Sequence, residues 1–557
     1  MKKWTLGLIA LLFSTQLFAQ DLAQIKNEKP FRWTGVLNVG TDFYTNSGDV
    51  PIRSDRFAWR ISGNPTAYLY GFELPFSFTL GQQIRDVRYP TFNQFGVSPT
   101  WKWLKIHAGW RNMEFSPYTL AGHTFLGGGV ELTPGKFRFA ALYGRFHRAA
   151  ATNAGQEYFL PTYKRKGYGV KIGYGTASNY IDLMAFKAKD DPNSLDIPDS
   201  LGITPGENLV LGLSGKATLW QKISLSIDGA ASAYTRDVRS EEIVLDSLDM
   251  GEYYGSEEAI TPRFSTRLNF AGKATAGYNS QNFGLNFAYE HIDPEYATMG
   301  AYFFNSDIEN YTVSPMFAFG RGKARLFGSY GVQRNNLLGN RSETSWRNIG
   351  SANLSLNPSA KFGLDLNYSN YRMNQTSTAF ELSDSLKLSQ ATTQFSVTPR
   401  YSVFGKTAVH TFIINGVYQF LDDQNPLTEK FGDVRARVGV VTWAASFTQS
   451  KLSVNTGLNY NDVQLGDTKT ANYGLNVGIG KPFAKDRLTL NANSNFNLAR
   501  LNGAADGNIL NAGLTGNFLV HKKHALTFGM HWIRSTSTFR GKYSEWRGQL
   551  GYSWVLR

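Results

Sequence analysis

Alternation of apolar and polar residues with a period of two recurs through this sequence and continues to its last residues. In the final run, four bulky apolar residues share one face of an extended strand: Leu550, Tyr552, Trp554 and Leu556. The opposite face begins with Gln549 and Gly551. A terminal strand of this kind is typical of a closed barrel, in which the last strand pairs with the first and leaves no free edge.

The same alternation appears in the runs 283–289, 362–368 and 488–498. Each run alone also fits a strand of a soluble sandwich, since a polar row faces water in both folds. The connections favour the barrel, because tight turns alternate with longer polar segments, as in membrane β-barrels. Turn compositions occur at 133–136, 320–323, 357–361, 481–486 and 521–524. Longer segments lie at 44–54, 82–96, 150–166, 190–207, 238–261 and 376–389.

Counting strands in this way predicts an all-β transmembrane antiparallel barrel of about 26 strands, within a range of roughly 22 to 28. The count is even only if the apolar stretch 97–113 is divided into two strands near Leu104. Short turns and both termini are then expected on the periplasmic side. We divide the chain into a signal peptide (1–19), a short periplasmic segment (20–30) and the barrel (31–557).

The beginning of the chain predicts export. Lys2 and Lys3 precede an apolar run, and Ala19 is a suitable cleavage residue. The sequence contains no Cys, which excludes a lipid-anchored lipoprotein and a disulfide framework. Aromatic residues make up 14% of the chain, which fits the aromatic girdles of a barrel in the bacterial outer membrane.

The row opposite the apolar residues is expected to be basic. Its predicted lumen-facing cations are Arg138, Lys171, Lys216, Arg267, Lys273, Arg325, Arg435 and Arg437. Fewer acids fall on it, among them Asp182, Asp228, Glu290 and Asp365. With a formal net charge of +14, this row predicts a positive lumen that favours anions or an acidic partner surface. The alternative is that these residues form structural ion pairs across the wall.

The sequence offers little support for catalysis or cofactor binding. No nucleophile, base and orienting residue can be placed together, so we expect no enzyme and no cofactor. Nucleic acid is not an expected partner, because the basic residues are dispersed among strands. Four aspartates in one loop are weak candidates for Ca²⁺: Asp190, Asp191, Asp196 and Asp199. Solvated loop residues are the alternative explanation, and no other metal site is expected.

Two resemblances to known proteins support this interpretation. A polar residue, a Gly two residues later and two bulky apolar residues resemble the C-terminal insertion signal of bacterial outer-membrane barrels: Gln549, Gly551, Trp554 and Leu556. That signal implies contact with the barrel-assembly machinery, although Arg557 extends one residue beyond it. The region 95–146, with Trp101-Lys102-Trp103 and Gly109-Trp110-Arg111, resembles porin-like outer-membrane barrels of Bacteroidota. The resemblance implies a location and a fold without an assigned activity, and no functional residues carry over from it.

Two functions remain open at this point. A barrel of this size encloses a wide lumen, and 20–30 is too short to form a plug domain. The first hypothesis is a passive or gated channel for solutes, with outer-membrane lipid around it. The alternative is a non-conducting scaffold of a secretion or assembly complex, with a plug or lipoprotein partner in its lumen.

Overall fold

A computed structural model describes residues 31–69, 72–81, 94–150, 161–197, 201–243, 260–302, 305–341, 343–377, 389–423, 432–539 and 541–556. The predicted signal peptide, the predicted periplasmic segment and Asp199 lie outside these residues. No helix in the described part of the chain is long and apolar enough to span a membrane.

The described residues form one antiparallel sheet of 26 strands, two of which are interrupted. Their bounds are β1 Phe31–Gly48, β2 Phe57–Gly63 with Thr66–Leu69, β3 Phe72–Gly81, β4 Gln94–Val97 with Thr100–Trp101, β5 Leu104–Glu114, β6 Ala121–Leu132, β7 Phe137–His147, β8 Lys164–Gly175, β9 Tyr180–Asp191, β10 Glu207–Leu219, β11 Ile223–Thr235, β12 Thr266–Asn279, β13 Phe283–Ile292, β14 Ile308–Phe319, β15 Ala324–Arg334, β16 Glu343–Leu356, β17 Phe362–Ser377, β18 Ser389–Phe404, β19 Ala408–Asp423, β20 Val434–Phe447, β21 Ser453–Leu465, β22 Thr468–Phe483, β23 Leu488–Leu501, β24 Ala504–His521, β25 His524–Ser535 and β26 Tyr543–Leu556.

The sheet closes on itself. Strand β1 pairs with β2 along one edge and with β26 along the other, and the second pairing runs from Gly35 opposite Leu556 to Gly48 opposite Tyr543. Closure satisfies the backbone groups that a free edge would expose. The predicted all-β closed barrel and its strand number are therefore confirmed.

Local sequence explains the interruption in β2. Asn64 and Pro65 break the strand, but Gly63 and Thr66 pair with Leu37 and Thr34 in one continuous register. Across the break, Gly35 has a φ of +123°, and a Cβ added there would meet the Asn64 carbonyl oxygen at 2.5 Å. A glycine is therefore required opposite this irregularity.

The division of the apolar stretch 97–113 into two strands is also confirmed. Strand β4 ends at Trp101, Lys102 has a φ of +50°, and β5 begins at Leu104. A non-glycine residue with positive φ is uncommon, and here it marks the tight turn between the two strands. Without this turn, the strand count would be odd and the two ends of the chain could not lie on the same side.

The antiparallel pairing defines two ends of the barrel. We call the end at which β1 begins and β26 finishes the turn end, and the opposite end the loop end. The predicted turns at 133–136, 320–323, 357–361 and 521–524 all lie at the turn end. Two loop-end connections are also short, in contrast to the prediction: Gly466–Asp467 and Asn502–Gly503. Both residues of the second pair have positive φ, as a tight two-residue hairpin turn requires.

The pairing register also defines two faces, because residues directly opposite each other share a face. The outer face contains the apolar row of Leu550, Tyr552 and Trp554, which continues through Leu37 and Val39 on β1. The inner face contains the alternate residues, including Asn38, whose side chain accepts a hydrogen bond from Ser553. This alternation is what a barrel needs to present apolar side chains to lipid and polar ones to a lumen.

The buried core lies against one side of the inner face. It consists of inward side chains of β5 to β13 together with two loop segments that fold over them. Its fully buried members include Phe125, Phe186 and Val210, each with 0% exposure. Among the described residues, β14 adds only the partly buried Ile308, and β15 to β26 add no member.

Candidate functional site

Two loop segments at the loop end fold together over the inner wall, and we call them the inner lobe. They are 115–120, between β5 and β6, and 293–301, between β13 and β14. Leu120 and Gly300 form an isolated parallel bridge, in which the Ala121 N–H donates to the Gly300 carbonyl at 3.0 Å. The Tyr296 hydroxyl donates to the Tyr118 carbonyl at 2.5 Å. The lobe therefore joins segments that are far apart in sequence.

The inner lobe is anchored to the wall beneath it. The Met299 N–H donates to Asn208 Oδ1 at 3.0 Å, and Ser232 Oγ donates to the Ala297 carbonyl at 2.7 Å. Asn208 and Ser232 lie on the inner faces of β10 and β11, near the loop end. The Tyr296 ring is 2% exposed. These contacts hold the lobe against one side of the barrel.

Tyr118 adds a polar contact between the lobe and the wall. Its hydroxyl donates to Glu290 Oε1 at 2.7 Å. Burial raises the pKa of the Tyr118 phenol, and the hydrogen bond to Glu290 raises that pKa further. The phenol therefore stays protonated and keeps donating throughout the physiological pH range.

The structure places six of the eight predicted cations on the inner face: Arg138, Lys171, Lys216, Arg267, Lys273 and Arg325. They do not form one cluster, because they are spread over five strands and both ends of the barrel. That these residues determine ion selectivity stays a prediction.

Ion pairs engage three of these six cations. Arg138 donates two hydrogen bonds to Asp182, each of 2.8 Å, and Asp182 is 2% exposed. Lys273 lies 3.8 Å from Glu290, and Arg267 pairs with Glu295. The structural ion pairs considered from the sequence are therefore present for these three.

The other three inner cations have no carboxylate partner among the described residues. Lys171 Nζ donates to the Glu114 carbonyl at 3.3 Å. Lys216 and Arg325 are exposed on the inner face, near the turn end. Their charge is neutralised by no described neighbour, so these two side chains contribute most directly to the field inside the barrel.

The prediction that Arg435 and Arg437 lie on the inner row is wrong. Arg435 stands directly opposite Phe420, and Arg437 opposite Tyr418, on the outer face. The same row continues through Ile414. The physical reason is that β20 carries apolar side chains on both faces, so its alternation alone does not show which face points into the barrel. The pairing with β19 identifies the outer face.

The inner wall opposite the lobe is rich in asparagine. Asn459 Nδ2 donates to Asn497 Oδ1 at 3.0 Å, across the intervening strand β22. Gly474 lies between them, and a Cβ there would meet Asn497 Oδ1 at 2.0 Å. Glycine on the middle strand thus allows the two amides to meet. The result is a polar strip of wall in which side-chain amides hydrogen-bond to one another across the strands.

One hydrogen-bonded chain on the inner face has the residue types of a hydrolase triad. Ser98 Oγ lies 2.9 Å from His107 Nδ1, and His107 Nε2 lies 2.7 Å from Glu131 Oε1. However, Ser98 is 8% exposed, His107 is 4% exposed, and the Ser98 N–H is already donated to Pro75. These hydrogen bonds join Ser98, at the interruption in β4, to β5 and β6.

The aspartates proposed for calcium are already engaged where the structure describes them. Arg165 donates two hydrogen bonds to Asp190, of 2.9 and 3.0 Å, and Asp191 Oδ1 accepts from the Asn193 N–H. Across the described residues, no group of three or more His, Cys, Asp or Glu side chains is arranged to hold a metal ion. Asp199 lies outside those residues, and Asp196 belongs to no such group.

The four residues of the predicted insertion signal occupy the closing strand β26. Gln549 and Gly551 lie on the inner face, and a Cβ at Gly551 would meet Thr527 Oγ1 at 2.4 Å. Trp554 lies on the outer face, with its ring 5.8 Å from that of His524, and Leu556 pairs with Gly35. These contacts join β26 to both neighbours. Their role in recognition by the assembly machinery stays a prediction.

No protein-family model and no curated protein matches this sequence. Solved structures do match the fold. The P pilus usher (PapC) translocation pore has a TM-score of 0.38 and 9% identity, over 94% of this chain and 99% of the pore. A mutant of the ferric enterobactin receptor PfeA from Pseudomonas aeruginosa has a TM-score of 0.38 and 9% identity, over 93% of this chain and 80% of the receptor. OccK8 (OprE) from Pseudomonas aeruginosa has a TM-score of 0.31 and 10% identity, over 71% of this chain and 98% of OccK8.

Proposed function

We propose that this chain is an integral protein of the bacterial outer membrane that acts as a solute channel. The observation that carries the proposal is the closed barrel with an apolar outer row and a polar inner face. Such a barrel satisfies its backbone in lipid and offers water a polar path through the membrane. We propose no enzymatic activity, since Ser98 and His107 are 8% and 4% exposed and therefore poorly accessible to a substrate.

The width of the barrel supports an open path. Barrels of about 16 to 18 strands already leave an aqueous channel, and this barrel has more strands than those. Among the described residues, the inner lobe and its core lie against β5 to β13 and the start of β14, whereas Asn367 and Asn493 on the opposite wall are exposed. Solute would pass along this asparagine-rich wall.

The charge of the inner face supports a preference for anions. Beyond the six inner cations already described, further basic side chains share that face: Arg60, Lys105, Arg111, Arg165, Arg347, Arg400 and Arg547. Basic residues outnumber acidic ones there, so the field along the path is positive.

Single-channel recording in a planar bilayer tests this function. The wild type should conduct, and replacing Lys216 and Arg325 with Glu should move the reversal potential toward cation selectivity under a salt gradient. The shift should shrink between 0.1 and 1 M salt, because the Debye length falls from about 10 Å to about 3 Å. The matched control replaces Arg435 and Arg437 with Glu on the outer face and should leave selectivity unchanged. A purified barrel that never conducts would refute the channel.

One observation favours a scaffold as the second candidate. Large apolar side chains on the inner face stay exposed among the described residues, including Ile349 and Tyr371, which stand directly opposite each other and are 42% and 37% exposed. An exposed apolar patch is typical of a surface that another protein covers. A scaffold should copurify with a stoichiometric plug or lipoprotein and should not conduct until that partner is removed.

A further inference from the structure

The outer face carries a compact group of cations at the loop end, which we call the outer basic patch. It consists of Arg145 on β7, Lys166 on β8, and Lys187 and Lys189 on β9. Arg145 stands directly opposite Lys166, and Lys166 directly opposite Lys189. Like charges that face each other across a sheet destabilise it. Such an arrangement requires compensating negative charge.

Within the described residues, the protein supplies one carboxylate to this patch. Glu207 on β10 pairs with Lys187 at 3.1 Å and with Lys189 at 3.0 Å, and its side chain is 4% exposed. No carboxylate among the described residues pairs with Arg145 or Lys166. Arg145 Nε is buried and has no hydrogen-bond partner there. Cations therefore exceed anions, and one buried donor is unsatisfied.

The surface next to the patch is apolar. Toward the turn end, the outer faces of the same strands carry exposed aromatic and aliphatic side chains, including Tyr143, Tyr168 and Leu183, at 60%, 50% and 62% exposure. At the turn end itself, the outer residues are Phe137, Phe139, Ile172, Tyr174 and Ile181, with no cation among them. The basic charge is thus confined to one border of the apolar band.

We propose that the outer basic patch binds the phosphate groups of an anionic lipid in the leaflet at the loop end. The acyl chains would lie along the apolar row, and the phosphate would accept from Arg145 and Lys166. Arginine presents a fork of donors that matches phosphate oxygens, and basic residues at a membrane border attract anionic headgroups. The proposal rests on the membrane location proposed above.

The test uses the purified full barrel in a neutral detergent and diphosphoryl lipid A as the probe, measured by native mass spectrometry. The same lipid without its phosphates and inorganic phosphate alone are the comparison ligands. Wild type should bind the phosphorylated lipid preferentially. Each basic residue at a lipid surface contributes roughly fivefold to binding, so R145Q/K166Q should bind about 25-fold more weakly. The matched control K216Q/R325Q, on the inner face, should bind like wild type.

Three outcomes would overturn the proposal: equal binding of the lipid without phosphates, unchanged binding by R145Q/K166Q, or inorganic phosphate binding as tightly as the lipid. If R145Q/K166Q fails to fold, K166Q alone replaces it, because Lys166 is exposed and its substitution should not disturb folding. K166Q should weaken lipid binding about fivefold. Insertion of wild type into phosphatidylcholine vesicles is measured separately. Failure to insert refutes the membrane location, whereas insertion without phosphate preference refutes the lipid site alone.

Discussion

Replacing Gly300 with Ala should separate the two segments of the inner lobe without unfolding the barrel. Gly300 has no positive φ, so alanine is compatible with its backbone. The substitution is disfavoured by a steric clash, because a Cβ there would meet the Thr119 carbonyl oxygen at 2.5 Å and the Leu120 Cα at 3.0 Å. Both are backbone atoms, which cannot move aside as the end of a flexible side chain can. The two segments of the lobe must separate.

The expected change in the free energy of local opening follows from the hydrogen bonds at this contact. Separation breaks the hydrogen bond from the Ala121 N–H to Gly300, and the one from Thr298 Oγ1 to the Thr119 carbonyl at 2.6 Å. At a net value of about 1 kcal/mol each, local opening becomes easier by ~2 kcal/mol, or roughly 30-fold. Partial repacking would reduce this figure.

Hydrogen exchange read by mass spectrometry measures the opening directly. Peptides that cover 115–121 and 293–301 should lose about 30-fold in protection in Gly300→Ala, while the strands keep theirs. Gly416→Ala is the matched control, because no atom lies within 4 Å of its added Cβ. Unchanged protection of both lobe peptides would refute the lobe contact, and loss across all strands would show that Gly300 supports the whole barrel.

Two further changes test the wall and its closure. Asp182→Asn leaves Arg138 without its carboxylate in a largely buried pair, so the folded barrel should lose about 3–5 kcal/mol, measured by urea titration of the heat-modifiable band. Trp554→Asp places a charge on the outer face of the closing strand, so the amount of folded protein in the membrane fraction should fall, measured by fractionation and heat modifiability.

Each of these changes has a control in the same protein. Asp486→Asn removes an exposed pair with Lys451 and should cost less than about 1 kcal/mol. Ser553→Asp introduces the same charge on the inner face of β26 and should assemble well. Equal stability of the two Asn variants would show that burial does not strengthen the Arg138 pair. Wild-type assembly of Trp554→Asp would contradict the outward orientation of that row.

The strand number was predictable from the sequence because its signals are local. Alternation marks each strand, and turn residues mark each boundary, down to the division before Leu104. The face assignment is also local where one row is clearly polar. It failed at Arg435 and Arg437, because Val438 and Val440 place apolar residues on the inner face of β20 as well. Only the partner strand resolves such a case.

The inner lobe was not predictable from any local signal. Its two segments meet across about 180 residues of sequence, and the segment 293–301 looks like an ordinary loop. One signal was available in the alternation itself. Phe125, Phe186 and Val210 place bulky apolar residues on the row that should be polar, and such residues need cover from inside the barrel.

The lobe and the free cations act at opposite ends of the same path. The lobe is anchored to Asn208 and Ser232 near the loop end, whereas Lys216 and Arg325 lie near the turn end. Space is therefore restricted at one end, and the two cations without a described carboxylate partner lie at the other. Because fields from exposed charges fade within about a Debye length, the two effects should separate in a barrel this long. Separating the two segments of the lobe should change conductance with little effect on selectivity, and reversing the charge of the two cations should do the opposite.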